Sequence, residues 1–168
     1  LTKPIGSLGK LEDYAIRLAG IKRNPKPSFK RKVIFTMAGD HGVAKEGVCL
    51  YPQEVTAQMV YNFLREGAAI NVLSAHAGCE VIVVDMGVAK QLIAQSSKLI
   101  GFKNKKINLG TKNMAIGPAM TRQEAIRSIE AGIEVFEEEF NKQAIDIVGT
   151  GDMGIANTTA SSAIAAAI

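Results

Sequence analysis

Two short segments of the sequence carry side chains that could do chemistry. The first is Gly39-Asp40-His41, and the second is the glycine-rich run from Gly149 to Thr159. Each segment follows a short apolar run that predicts a buried strand. Ligands of open parallel sheets collect beyond the carboxyl ends of the strands. We therefore expect both segments to face a ligand-binding cleft.

The glycine-rich run predicts a turn from a strand into a helix. Its glycines allow backbone N–H groups to approach a ligand, and a helix capped by Asn157 or Thr158 adds partial positive charge for a phosphate. Asp152 could then accept hydrogen bonds from ribose hydroxyl groups. The run lacks the Gly-Lys-Ser/Thr ending of a nucleotide P-loop. A purely structural interpretation also stays open, in which the glycines shape a tight turn and Asp152 or Asn157 caps the helix.

Asp40 and His41 could act as an acid/base dyad or as two metal ligands. The chain contains only two histidines, and no further cluster of ligand residues accompanies this pair. The sequence therefore favours an Asp40 that forms hydrogen bonds within its own loop. Cys49 and Cys79 match no zinc or redox spacing and are expected to be free thiols. No metal is predicted.

The elements that position these segments alternate between helices and strands. A helix between two strands implies a parallel, right-handed βαβ unit. The sequence therefore predicts an α/β fold with an open, mostly parallel Rossmann-like sheet flanked by helices and an N-terminal helical segment. The expected strands are Val33–Ala38, Glu80–Asp85 and Ala144–Val148, and the expected helices are Leu8–Ile21, Gln53–Arg65, Ala68–Ala77 and 121–142.

Local signals place the ends and buried faces of some helices. Ser7 is expected to cap the first helix, and Thr121 with Glu124 forms the pattern of a capping box for the longest one. The polar stretch from Gly87 to Gly117 gives no regular prediction. The apolar stripe expected to be buried on the longest helix consists of Ala125, Ile129, Ile133, Phe136 and Phe140.

The length of 168 residues predicts one main domain. We expect residues 1–31 to form the helix and basic connector of a smaller domain. Residues 32–168 should form an α/β core that is incomplete at its C-terminus. The chain begins without Met and ends in an apolar tail, so we expect it to be a piece of a longer protein.

Composition excludes several classes of function. Hydrophobic residues make up 47% and charged residues 21%, which favours a buried core over disorder. A net charge of +4 with 5% aromatic residues and no Trp disfavours a nucleic-acid partner. The sequence lacks an apolar run long enough to span a membrane and lacks a signal-peptide pattern. These features predict a cytoplasmic enzyme or binding domain without a membrane partner.

Several longer segments together resemble the nicotinate-nucleotide:dimethylbenzimidazole phosphoribosyltransferase family of cobalamin lower-loop synthesis. The resemblance covers essentially all 168 residues and corresponds to the N-terminal half to two-thirds of the family's proteins. The segments that carry it are Leu1–Gly9, Ala38–Val43, Glu54–Val60, Asn62–Leu73 and Gly154–Thr159.

The resemblance implies a specific transfer reaction. Dimethylbenzimidazole attacks the anomeric carbon of nicotinate mononucleotide, and the products are nicotinate and α-ribazole 5′-phosphate. No cofactor is implied, and the expected assembly is a homodimer. The glutamate that serves as general base in the family is expected beyond Ile168, so this chain alone should be inactive. The alternative is a non-catalytic domain that binds a nucleotide or a benzimidazole. A dinucleotide-dependent oxidoreductase is disfavoured because the chain ends before the acidic residue expected about twenty positions on.

The resemblance also implies roles for individual residues. Asp152 stands where the family usually has Glu and would hold the ribose, with Asn157 and Thr158 at the phosphate end. Tyr51 and Met59 stand where some relatives carry Ser and Gln. The implied substrate-binding residues are Asp40, Tyr51, Pro52, Gln58, Met59, Asp152, Met153, Gly154, Asn157 and Thr158.

Overall fold

The structure, a computed structural model, describes residues 2–92 and 101–168. These residues belong to two compact units, Leu1–Lys30 and Arg31–Ile168. The first unit contains helix α1, Lys10–Lys22, and none of the residues of this helix is buried.

The predicted Ser7 cap of α1 is wrong. The helix begins after Gly9, whose φ of 54° places it in the region that favours glycine, and no side chain caps the helix there. Glu12 in the first helical turn instead holds the segment before the helix, because its carboxylate accepts hydrogen bonds from the Leu8 N–H at 3.0 Å and the Gly6 N–H at 3.3 Å. Lys3 pairs with the same carboxylate.

The second unit contains a four-stranded parallel sheet with the strand order β3-β2-β1-β4. This arrangement confirms the predicted open, parallel α/β fold. The described elements are β1 (Lys32–Gly39), a short 3₁₀ helix (Gly42–Glu46), α2 (Glu54–Leu64), α3 (Ala69–Ala77), β2 (Glu80–Gly87), β3 (Phe102–Asn104), α4 (Arg122–Lys142), β4 (Ile147–Met153) and α5 (Asn157–Ala167).

Apolar side chains cover both faces of the sheet. On one face Ala38 of β1 belongs to a buried cluster with Val60 and Phe63 of α2. On the other face Phe35 of β1 belongs to a cluster with Val135 of α4. Because side chains alternate along a strand, β1 contributes to both clusters and is buried from both sides. The apolar run in the sequence predicted this environment.

β4 corrects the predicted glycine turn. The strand begins at Ile147 and continues to Met153, so the run from Gly149 lies in the sheet and only Gly154–Ala156 turns. The reason is the backbone pairing with β1, which compensates for the low intrinsic preference of glycine for strands. A Cβ at Gly149 would lie 3.1 Å from Ile34 Cγ1, so the missing side chain also allows the two strands to pack closely.

α4 begins as predicted, but it buries a different face. Thr121 Oγ1 accepts from the Glu124 N–H at 3.2 Å and Glu124 Oε2 accepts from the Thr121 N–H at 2.7 Å, which confirms the capping box. The predicted buried stripe is wrong, since Ile129 is 67% and Ile133 is 53% exposed. The residues buried in its place are Ala131, Val135 and Glu139.

A buried ion pair at the amino ends of the strands explains this orientation of α4. The side chains of Arg31 and Glu139 are each only 7% exposed, and Arg31 Nη2 lies 3.0 Å from Glu139 Oε2. The guanidinium also donates to Glu80 through Nε at 3.0 Å and Nη2 at 2.9 Å. Its Nη1 donates to the carbonyls of Glu139 and Gln143, both at 2.7 Å. These bonds satisfy all five guanidinium donors and hold the last turn of α4 against the sheet.

Candidate functional site

The carboxyl ends of β1 and β4 define a crevice at the point where the strand order reverses. β2 and β3 lie on one side of β1, whereas β4 lies on the other. In open α/β sheets ligands bind outside such a switch point. We call the carboxyl edge at this place the β1/β4 crevice, and Gly39 and the turn Gly154–Ala156 border it.

The turn after β4 packs tightly against the end of β1. A Cβ at Gly154 would lie 2.0 Å from the Gly39 carbonyl oxygen and 3.0 Å from two atoms of the His41 ring. Only glycine therefore fits at Gly154. The next residue, Ile155, donates its N–H to Thr56 Oγ1 at 3.0 Å, which ties the turn to α2 as well. The crevice thus has a fixed wall.

Polar side chains from both sides of this turn are joined at the crevice. Asp152 is exposed near the end of β4, and its Oδ2 accepts a hydrogen bond from Asn157 Nδ2 at 2.8 Å. Asn157 Oδ1 accepts from the Thr158 N–H at 2.8 Å. The structure therefore brings together the three residues that the family resemblance implies at the ribose and the phosphate.

The predicted side-chain cap of α5 is wrong. Ala156 occupies the N-cap position with a φ of 70°, and no side chain caps the helix. Asn157 is instead the first residue of the helix, because the left-handed conformation of Ala156 already completes the turn. The partial positive charge of the helix N-terminus lies beside Asp152 and Asn157.

Asp40 connects three loops at the carboxyl edge. Its carboxylate is buried, and Oδ2 accepts from the Ala89 N–H at 2.7 Å. Its backbone N–H donates to the Gly87 carbonyl at 2.9 Å, and its carbonyl accepts from the Thr111 N–H at 2.9 Å. Among residues 2–92 and 101–168, nothing donates a hydrogen bond to its Oδ1. These contacts fit the loop-forming interpretation that the sequence favoured.

His41 is half-buried, and the charges of two carboxylates act on its imidazole ring. Burial lowers its pKa below the usual 6.5, and this effect outweighs the charges of Asp40 and Asp152, which act in the opposite direction. The imidazole is therefore mostly neutral at pH 7. The backbone carbonyl oxygen of His41 accepts a long hydrogen bond of 3.5 Å from Gln53 Nε2 at the start of α2.

A cavity of about 170 Å³ opens beside the crevice, between the ends of β1 and β2 and the start of α4. We call it the β1/β2 pocket. Asp40 and His41 border it on the side of the crevice. Its other walls include Met86, Ile107, Met120, Lys112 and Glu124.

The loop that closes this pocket packs against the segment after β1. A Cβ at Gly42 would lie 2.4 Å from the Lys112 carbonyl carbon, and the Gly42 N–H donates to Thr111 Oγ1 at 3.2 Å. Asn113 Nδ2 also donates to Glu46 Oε1 at 2.5 Å. The sequence analysis did not identify this wall. The sequence signal that could have found it is Gly110, a glycine within a polar stretch, and its φ in the structure is 86°.

The residues expected around the benzimidazole are only partly brought together. Met59 and Met153 pack against the same core cluster. Tyr51 is 65% exposed, and Pro52 and Gln58 are exposed as well. Within the described ranges, no hydrogen bond joins these three side chains to the crevice. The roles of all the expected site residues stay predictions.

Residues 2–92 and 101–168 contain neither a metal-type cluster of side chains nor a membrane-spanning helix. No group of three or more His, Cys, Asp or Glu side chains there could hold a metal ion. None of the helices in the same ranges combines the length and apolarity needed to cross a lipid bilayer.

The protein has an open, parallel α/β fold, and the crevice lies at its switch point, where such sheets bind ligands. The profile of the DBI_PRT family, described as phosphoribosyltransferase, matches residues 1–168. The chain therefore belongs to this phosphoribosyltransferase family, and the resemblance seen in the sequence is confirmed.

Individual relatives agree with this assignment. The chain is 52% identical over 166 residues to the nicotinate-nucleotide–dimethylbenzimidazole phosphoribosyltransferase of Geobacter sulfurreducens, covering 99% of this chain and 46% of the relative. The enzyme of that name from Desulforudis audaxviator is 54% identical, with 98% and 45% covered.

A solved structure shows the same relationship. The crystal structure of CobT from Thermus thermophilus matches with a TM-score of 0.89 and 47% identity, covering 99% of this chain and 49% of that one. The chain thus spans about half the length of the relatives it matches.

Proposed function

We propose that the protein transfers the phosphoribosyl group of nicotinate mononucleotide to 5,6-dimethylbenzimidazole, giving nicotinate and α-ribazole 5′-phosphate. Membership of the phosphoribosyltransferase family supports the reaction class. The observation that carries the proposal is the Asp152–Asn157–Thr158 group beside the uncapped start of α5. It combines a hydroxyl acceptor with a helix N-terminus, which are the two partners that a ribose phosphate needs.

In this proposal Asp152 accepts hydrogen bonds from the ribose hydroxyls. Its Oδ2 is already held by Asn157 at 2.8 Å, so the carboxylate is oriented before the sugar arrives. Asn157 and Thr158 lie at the phosphate end, and Gly154 keeps the turn between Asp152 and these residues packed against the end of β1. Met153 provides an apolar surface next to Asp152.

The incoming base would bind on the side of α2. Met59 and Met153 share one apolar cluster there, and thioether groups pack well against aromatic rings. Tyr51, Pro52 and Gln58 complete this proposed benzimidazole side, and Asp40 holds the loops below the sugar.

The chemistry requires positioning more than acid catalysis. Nicotinate departs from a pyridinium, so the ring nitrogen keeps the electron pair of the broken C–N bond and needs no proton. The benzimidazole ring nitrogen without a hydrogen supplies the electron pair of the new C–N bond. The N–H proton of the other ring nitrogen passes to a base. Holding the two rings on opposite faces of the sugar would supply much of the rate enhancement. We propose that this 168-residue chain by itself turns over negligibly.

Asp152→Ala tests the sugar contact. Binding of nicotinate mononucleotide, measured by calorimetry on the protein in its full length, should weaken by at least about tenfold, the effect of losing a hydrogen bond to a charged group. Thr150→Ala is the matched control, because Thr150 is exposed on the same strand two residues earlier. Unchanged affinity of Asp152→Ala would count against the assignment.

Binding titrations combined with a product assay test the second candidate function, a non-catalytic binding domain. A protein that binds both nicotinate mononucleotide and dimethylbenzimidazole but forms no product would be a binding domain. We further propose a homodimer in the cytoplasm with small-molecule partners and no nucleic acid, and sedimentation of the full-length protein tests the assembly.

A further inference from the structure

The carboxyl end of β2 holds a buried ion pair. Asp85 is fully buried, and its Oδ2 lies 3.1 Å from Lys106 Nζ, in a lysine side chain that is only 13% exposed. Asp85 Oδ1 accepts hydrogen bonds from the N–H groups of Gly87 at 3.1 Å and Val88 at 2.9 Å. An aspartate that binds the backbone two and three residues ahead turns the chain. The ion pair therefore lies beneath the segment that follows β2.

The Lys106 ammonium also binds the backbone of that segment. Its Nζ donates to the carbonyl oxygen of Val88 and to that of Lys90 at 3.2 Å. Together with Asp85 Oδ2, these carbonyls provide three oxygen neighbours for the three N–H donors of the ammonium. Lys106 thus holds the carbonyls that precede and follow the N–H group of Ala89.

One peptide group connects Lys106 to Asp40. The Val88 carbonyl and the Ala89 N–H belong to the same planar trans peptide, so they point in opposite directions. Lys106 binds the carbonyl end of this peptide, and the N–H end donates to Asp40 Oδ2 at 2.7 Å. A cation at the carbonyl also polarises the peptide and strengthens its N–H as a donor. The position of the Asp40 carboxylate therefore depends on Lys106.

The Asp40 carboxylate is held unequally by its two oxygens. Oδ2 accepts the short bond from Ala89, whereas Oδ1 is buried and receives no hydrogen bond from residues 2–92 or 101–168. The Ala89 N–H is thus the contact that keeps this carboxylate from rotating. A buried ion pair often stabilises a fold no more than apolar residues would. A positional role gives the buried Lys106 a function that stability alone does not.

We propose that Lys106 is a positioning residue for the transfer reaction, and that it sets the orientation of the Asp40 carboxylate through the Val88–Ala89 peptide. This inference rests on the proposed function and adds a residue that touches neither substrate. Without the ammonium the peptide can turn, and Asp40 loses its fixed donor. A misplacement of about 1 Å at a reaction site can slow the reaction by about a hundredfold.

The test compares Asp85→Asn/Lys106→Met with Asp85→Asn alone in the full-length protein. The double variant removes the ammonium without leaving a buried carboxylate unpaired, and the Asn keeps an oxygen for the turn after β2. Two quantities are measured, the kcat of α-ribazole 5′-phosphate formation and the hydrogen exchange of the Ala89 amide, followed by NMR with isotope-labelled alanine. We expect kcat to fall at least about tenfold and the Ala89 amide to exchange at least about tenfold faster.

Lys105→Met is the matched control. Lys105 is the neighbouring lysine, and it pairs with Glu134 at 3.1 Å and Glu138 at 2.7 Å on α4 instead of with the segment after β2. Its removal should change neither kcat nor the exchange of the Ala89 amide by more than about twofold.

Asp40→Asn distinguishes positioning from a purely structural role. Because Lys106 acts through Asp40, adding Lys106→Met to a protein that already carries Asp40→Asn and Asp85→Asn should change kcat by less than about twofold. An equal loss of kcat with and without Asp40→Asn, or unchanged exchange of the Ala89 amide, would overturn the Lys106 proposal. A wild-type protein that forms no product would instead overturn the proposed function, while the Ala89 exchange would still decide whether Lys106 fixes this peptide.

Discussion

Removing Arg31 should destabilise the α/β unit more than any exposed charge substitution. Arg31→Met deletes five hydrogen bonds, two of which satisfy carbonyls in the last turn of α4. Removing one partner of a buried ion pair typically lowers the free energy of unfolding by about 3 to 5 kcal/mol. Lys142 at 2.6 Å and Lys103 at 3.1 Å still accompany Glu139. We therefore expect Arg31→Met to lower the free energy of unfolding by about 3 kcal/mol, the lower end of this range.

The partners of Arg31 should contribute unequally. The Glu80 side chain is 53% exposed, so its ion pair is screened by water and Glu80→Gln should cost less than about 1 kcal/mol. Glu139→Gln should cost more, because Glu139 is buried with three cations around it. Arg31→Met combined with Glu139→Leu should recover part of the loss, since no uncompensated charge then stays buried.

Urea unfolding followed by circular dichroism measures these differences. Equal denaturant slopes among the variants would show that the free energies of unfolding can be compared directly. The reasoning would be refuted if Arg31→Met cost less than about 1 kcal/mol, or if Glu80→Gln cost as much as Glu139→Gln.

Three further predictions follow from burial and close contacts. Burial raises the pKa of Glu139, but hydrogen bonds from nearby cations outweigh this effect and lower the pKa to about 2. The ionised Glu139 therefore stabilises the fold above pH ~4.5, and this contribution is lost as the pH falls toward 2. Urea unfolding between pH 7 and pH 2 should show this loss, and Glu139→Gln should reduce it. Gly154→Ala should lower the melting temperature strongly because its Cβ would overlap a backbone oxygen, whereas Gly151→Ala, with its nearest contact at 3.9 Å, should change stability by less than about 1 kcal/mol. Val135→Ala should cost about 2 kcal/mol in urea unfolding and Ile133→Ala less, since Val135 is fully buried and Ile133 is 53% exposed.

Local sequence signals were sufficient for much of the sheet and its helices. The apolar, β-branched runs of β1 and β2 indicated strands buried on both faces, and their parallel pairing followed from the helices between them. Thr121 and Glu124 located the start of α4 because a capping box depends only on residues three positions apart.

Features set by distant partners could not be derived in this way. Glu139 is buried because Arg31 lies opposite it, so the periodicity of α4 pointed to a stripe that is exposed. β4 is a strand because its backbone pairs with β1, whereas its glycine-rich composition suggested a turn. β3 has only three residues, Phe102–Asn104, and carries no strand signal of its own.

The sequence predicted the part of the candidate site that depends on neighbouring residues, but not the part formed by distant ones. Asp152, Asn157 and Thr158 are close in sequence, and hydrogen bonds join them in the structure. The loop around Thr111 and Lys112 forms a pocket wall through its contacts with Asp40 and Gly42, about seventy positions earlier in the chain. The spacing of residues along the sequence cannot predict a contact between positions so far apart.

The most direct measurement of the central claim is product formation by the full-length protein. It should be incubated with nicotinate mononucleotide and dimethylbenzimidazole, and the mixture should be separated by chromatography. We predict that α-ribazole 5′-phosphate and nicotinate appear in equal amounts and that Asp152→Ala slows their formation. A folded protein that binds both substrates yet releases neither product would contradict the proposed transferase activity.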